Sequence, residues 1–224
     1  MGYDMRWRKR DESEIAEVAA AREVFRAACD ARDALPPGPE QDAAQEAVST
    51  AYEAESKADR SYFRLNAFGM GRYCDYMDRI GMTFADDPAP AWPEPEAHGT
   101  TWDDYDVLRY PDVLRYPEDT DAPLDSDRLA AAEKFRAAHD RVLSWHGRPD
   151  TPGIPDRKFS SNDGWIVLPA EAEAAVRIWE QHRDELGEAL ATAEVAVVLG
   201  DADYWLRWID YLRGAVTHDG FEVH

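Results

Sequence analysis

Glu55, Asp59 and Asn66 interrupt an apolar stripe that runs from Asp42 to Gly81, and a carboxylate on such a stripe needs a partner or a purpose. Glu55 and Asp59 are four residues apart, so a helix sets both on one face, where they could hold a metal ion or act as an acid–base couple. No Glu-x-x-His accompanies either acid. The di-iron bundle signature is therefore missing, and neither a metal nor any other cofactor is expected. The alternative is an ion pair. Arg22 lies in the stripe of a preceding helix, and a hairpin turning near residue 38 sets it opposite residues 53 to 55. Arg22 and Glu55 are then a structural pair that sets the register, with Arg183 a second candidate partner for Asp59.

Left unpaired, the same acids supply polar points to a cavity. The candidate pocket comprises Glu55, Asp59, Tyr62, Asn66, Tyr73, His139, Asn162, Asp163 and Trp165, where the long helix meets the Asn162-Asp163-Gly164 turn. Other residue patterns carry less. Gly69-Met70-Gly71 has no strand before it and no Gly-Lys-Ser/Thr after it, so it reads as a kink or a close contact rather than a phosphate cradle. His139 and His146 would stand about 10.5 Å apart along a helix, poor geometry for one ion. Ser160 and Ser161 lie in neither Gly-x-Ser-x-Gly nor Ser-x-x-Lys and read as turn residues. No catalytic set is recognisable, and the chain leans away from being an enzyme.

The elements that must position these residues are mostly helical. Tyr3, Met5 and Trp7 alternate with Asp4, Arg6 and Arg8 as a strand does. A helix follows from Asp11 or Ser13 to Leu35, ended by Pro36-Pro37-Gly38-Pro39, and the short turn folds it back on one long helix over Asp42 to Gly81. Three more helices are expected: Ser126 or Asp127 to His146, Pro169 to Gly200, and Asp201 or Asp203 onward through Trp205, Trp208, Ile209, Leu212 and Val216. Trp165 to Leu168 and Phe221 to Val223 read as short strands. The expected fold is mainly α (α+β): a five-helix body on a long αα-hairpin, with a small antiparallel sheet joining the N-terminus, residues 165–168 and the C-terminus.

Residues 86–127 break the pattern. They hold 7 of the 14 prolines with 13 acids and 2 basic residues, so they read as an acidic insertion outside the core of a single domain spanning 1–224. Within them Asp106 to Pro111 is repeated as Asp112 to Pro117, and this loop either drapes over the body or offers Val, Leu and Tyr to a protein partner.

Over the whole chain 25 basic residues face 46 acids, a formal charge of −21 that repels nucleic acid and anionic membrane alike. The acidity reads as a solvated surface, with mimicry of DNA as a minor alternative. Cys29 and Cys74 lack metal-ligand or Cys-x-x-Cys spacing and read as reduced thiols, and the start of the chain shows no signal peptide or spanning segment. A cytoplasmic setting is expected.

Three blocks, KFSSNDGWIVLPAE (158–171), YWLRWIDYLRGAVTHDGFEVH (204–224) and YFRLNAFGMGRYCDYM (62–77), resemble segments of alanine- and acid-rich proteins of actinobacteria and their phages that have no assigned function. The resemblance implies a bacterial or phage origin and carries no activity, cofactor or catalytic residue. Two function classes remain open: an acidic, non-enzymatic binding or interaction protein working through the 106–117 loop, and a small-molecule binder or enzyme with its pocket around Glu55, Asp59 and Asn66.

Overall fold

A computed structural model describes residues 2–85, 87–109, 124–190 and 202–224. The chain falls into two units, residues 1–85 with 150–224, and residues 86–149.

The larger unit is organised on a four-stranded antiparallel sheet of order β2-β1-β6-β5, formed by β1 (Gly2–Trp7), β2 (Tyr62–Asn66), β5 (Trp165–Val167) and β6 (Phe221–Val223). The expected sheet of both termini and residues 165–168 is present, with Met5 opposite Val223 and Trp165 opposite the same Val223. Alternation does what it must: Met5 and Trp7 are buried while Arg6 between them is exposed. Gly220, just before β6, has φ +79° and approaches Val167 so closely that an added Cβ would stand 2.0 Å from its carbonyl oxygen, so the turn into β6 requires glycine.

The single long helix expected over Asp42 to Gly81 is not formed. α1 (Glu12–Asp33) and α2 (Pro39–Ala58) do form the αα-hairpin, but α2 ends at Ala58 and the chain enters β2 before α3 (Ala67–Arg79) begins. Residues 62–66 satisfy both periods: Phe63 and Leu65 are buried and Arg64 and Asn66 exposed, an alternation that pairs them with β1 in full register, Tyr3 opposite Leu65 and Met5 opposite Phe63. Asn66 then caps α3, its Oδ1 accepting from Gly69 N–H at 2.7 Å. Gly69 and Gly71 therefore sit in the first turns of a new helix and mark no kink.

α6 (Pro169–Leu190) and α7 (Ala202–Thr217) complete this unit, with a two-residue parallel pair of β3 (Thr83–Phe84) and β4 (Ile154–Pro155) that the sequence does not announce. The expected continuation of α6 to Gly200 lies outside the described residues. The core is aromatic: Trp205 and Trp208 of α7 are fully buried, Trp205 edge-on to Tyr73, Tyr76 and Trp179, and Phe63 of the sheet is tilted onto Trp208 and Tyr211. Lys158 and Glu171 are buried beside it, the ammonium 2.7 Å from both carboxylate oxygens and 2.6 Å from the Ile166 carbonyl.

The smaller unit corrects the view of residues 86–127 as excluded from any core. It contains α4 (Trp102–Arg109) packed on α5 (Ser126–Leu143), with Tyr105, Phe135 and Leu143 buried. Asp104, 3 % exposed, accepts from Arg128 at 2.5 Å and from Thr100 at 3.2 Å. Burial pushes its carboxyl up, and these donors outweigh that and hold it below the usual range. The first repeat begins inside α4; the rest of the 106–117 loop, from residue 110, lies outside the described residues. Among the described residues no helix is long and apolar enough to cross a membrane.

Candidate functional site

The residues that converge come from the two ends of the larger unit's chain and from the end of α2. Trp7, last in β1, lays its indole on α7: Nε1 donates to the Tyr211 carbonyl at 3.2 Å, and the ring stacks on Tyr211 at 5.7 Å and on the His218 imidazole at 4.1 Å. This seat exists because position 214, between them on the same helical face, is glycine.

Beside this seat opens a cleft of about 830 Å³, a size suited to a small organic molecule. Its apolar walls are Trp7, Tyr52, Tyr62, Phe63 and Tyr211. Its charged residues are Lys57, Arg60, Arg207 and Arg213 against Glu14, Glu53, Asp59 and Asp210, an even balance in a chain where acids outnumber bases 46 to 25. Most of these charges are spoken for. Lys57 lies 4.0 Å from Glu53, Arg60 3.5 Å from Glu14, and Arg213 pairs with Asp210 and Glu180. Arg207 instead lies over the Tyr204 ring at 5.1 Å and has no carboxylate partner among the described residues. The buried Tyr211 hydroxyl likewise has no hydrogen-bond partner among them. Burial raises its ionisation well above that of a free phenol, so it stays a neutral donor. Tyr62 is pushed up to about 12, by burial first and then by donating to the Asp4 carboxylate.

At the rim, Glu14 ties three elements together. Its Oε2 accepts from Asp11 N–H at 3.0 Å and faces His218 Nε2 at 3.0 Å, while Oε1 faces Arg60 at 3.5 Å. Burial raises the Glu14 carboxyl, and the Asp11 amide, His218 and Arg60 together bring it below its ordinary value.

Of the nine residues expected to form a pocket, Asp59 and Tyr62 line this cleft. Asp59 ends α2, accepts from Ser61 Oγ at 2.5 Å and lies 3.9 Å from Arg6. Its expected partner Arg183 pairs with Glu180 within α6 instead, while Asp59, at the C-terminal end of α2, is met by Ser61 and Arg6. Glu55 is paired with Arg22 at 2.9 Å, as the hairpin register requires, but Arg22 is half exposed, so the seam is wetter than expected. Asn66 is spent as a cap, and Tyr73 is 2 % exposed in the aromatic core. Asn162 and Asp163 are exposed in their turn, where Asp163 accepts from Ser161 Oγ, and Ser161 accepts from Trp165 Nε1 at 2.9 Å. His139 belongs to the 86–149 unit, where the Tyr105 hydroxyl meets its Nδ1 at 3.1 Å, and burial and then Arg109 lower it to about 4.

Sequence reasoning missed Trp7, Glu14, Arg207, Tyr211, Gly214 and His218 as site residues. Thr217-His218-Asp219-Gly220 reads as a turn, and nothing local joins it to Trp7 more than two hundred positions away. No protein-family profile, curated protein or solved structure matches the chain.

Proposed function

We propose that the protein is a non-enzymatic binding protein for a flat organic anion held in the cleft between Trp7, the end of α2 and α7. The observation that carries this reading is the pairing of aromatic walls with the Arg207 guanidinium, which has no carboxylate partner among the described residues, in a cleft of about 830 Å³. A planar ring gains contact with Tyr52 and Tyr62, and a negative group attracts Arg207. The chain's net charge of −21 argues against nucleic acid as the ligand. The reading includes a bacterial, cytoplasmic setting, consistent with the free thiols of Cys29 and Cys74.

A thermal-shift series with naphthalene sulfonates and nucleoside monophosphates, each beside a neutral or cationic analogue of the same ring, tests it. Anionic members should raise the melting midpoint in a dose-dependent way and their analogues should not. Equal shifts from cationic analogues, or none from any compound, would contradict it.

A further inference from the structure

We propose that Asp11, Glu14 and His218 form a site for one divalent transition-metal cation, Zn²⁺ or a first-row neighbour, at the rim of the cleft. The inference goes beyond organic-ligand binding and stands without it. The His218 ring is fixed from two sides. Trp7 stacks on its face at 4.1 Å, and Nδ1 stands 2.6 Å from the Gly214 carbonyl oxygen. A nitrogen that close to a carbonyl carries hydrogen, so Nδ1–H is the donor and the free lone pair belongs to Nε2. A backbone carbonyl holding the far nitrogen is the arrangement that orients metal-ligating imidazoles.

Nε2 stands 3.0 Å from Glu14 Oε2. Two acceptors face one another at that distance only with a positive charge between them, supplied by a proton or by a metal. The spacing suits a metal: ligands at about 2.1 Å from one ion stand about 3.0 to 3.4 Å apart in octahedral or tetrahedral geometry. Asp11 supplies a third donor, the ligand atoms of all three lying within 4.8 Å of one another. Its side chain is exposed at the N-cap of α1, and reaching the ion takes it from its place in the capping box. The site lies between the C-terminal end of α7, whose carbonyls favour a cation, and the first turn of α1, whose N–H groups oppose one, and Arg60, the competing positive group, is exposed enough to swing aside. One imidazole and two carboxylates suit Zn²⁺, Co²⁺ or Mn²⁺ rather than Mg²⁺, which prefers oxygen alone.

The full chain, freed of metal by chelator, is titrated with Zn²⁺ alone and with Mg²⁺ alone by calorimetry, and Zn²⁺ titration is followed by imidazole ¹⁵N chemical shifts. One Zn²⁺ per chain should bind at least about tenfold more tightly than Mg²⁺, with the Nε2 shift confined to His218. Asp11→Asn keeps a good helix cap while removing a ligand, and should weaken Zn²⁺ about tenfold with the fold intact. His218→Asn should abolish the site; if that variant unfolds, Asp11→Asn and the His218 shift decide. Zn²⁺ no tighter than Mg²⁺, a shift at another histidine, or unchanged affinity in Asp11→Asn would overturn the proposal and leave an imidazolium–carboxylate pair only.

Discussion

The Trp7 indole occupies the space that a side chain at position 214 would need: a Cβ added to Gly214 would stand 1.9 Å from Trp7 Cζ2. Neither can give way, since the ring is held by its bond to the Tyr211 carbonyl and by His218 on its face. Gly214→Ala should therefore destabilise the protein by about 3 kcal/mol, although alanine is the better helix former. Urea unfolding measures this. Trp7→Ala should cost less in the Gly214→Ala background than alone, and an additive double mutant would show that the two positions do not meet.

Lys158 and Glu171 form the opposite kind of contact, an ion pair with side chains 0 % and 1 % exposed. Lys158→Met leaves a buried carboxylate without its cation and should cost about 3 to 5 kcal/mol in chemical denaturation. Adding Glu171→Leu should recover much of that loss. A lone Lys158→Met variant as stable as the parent would show the pair to be better solvated than its burial implies.

Arg22 and Glu55 meet at the same kind of distance but in water's reach. Arg22→Ala should cost below about 1 kcal/mol, and less in high salt. A loss of several kcal/mol in the same denaturation experiment would contradict the half-exposed geometry.

His139 sets a pH dependence on the 86–149 unit. Its folded value is lowered from 6.5 to about 4, by burial and then by Arg109. Above 6.5 the ring is neutral in folded and unfolded chains alike, and its contribution is complete. As pH falls from there toward 4 only the unfolded chain takes the proton, so stability declines through that window, by on the order of 3 kcal/mol at most. Urea unfolding near about pH 7 and near about pH 5 should show the decline, and His139→Gln should flatten it.

What the sequence disclosed follows from which signals are local. Alternation at residues 3–7 and 221–223, the Pro-rich turn at 36–39 and the Pro169 helix start each act within a few residues, and the sheet of both termini and the αα-hairpin follow from them. The break at residue 59 was hidden because Tyr62 and Leu65 fit a helix as well as Phe63 and Leu65 fit a strand; pairing with β1 decides, and that pairing is not local. The cleft was hidden for the same reason. Asp59 and Tyr62 are legible as polar and aromatic points on a stripe, whereas Trp7, Gly214 and His218 become a site only when the chain's two ends are joined.

In the proposed function a flat anion enters the cleft beside Trp7 and is held by Arg207. Calorimetric titration of the full chain with naphthalene-2-sulfonate measures this, comparing the parent with Arg207→Ala and Tyr52→Ala, both exposed positions whose loss leaves the core intact. One site per chain, weakened about tenfold by Arg207→Ala and several-fold by Tyr52→Ala, is the expected result. Binding that is absent, or that is equally strong in both variants, would contradict it.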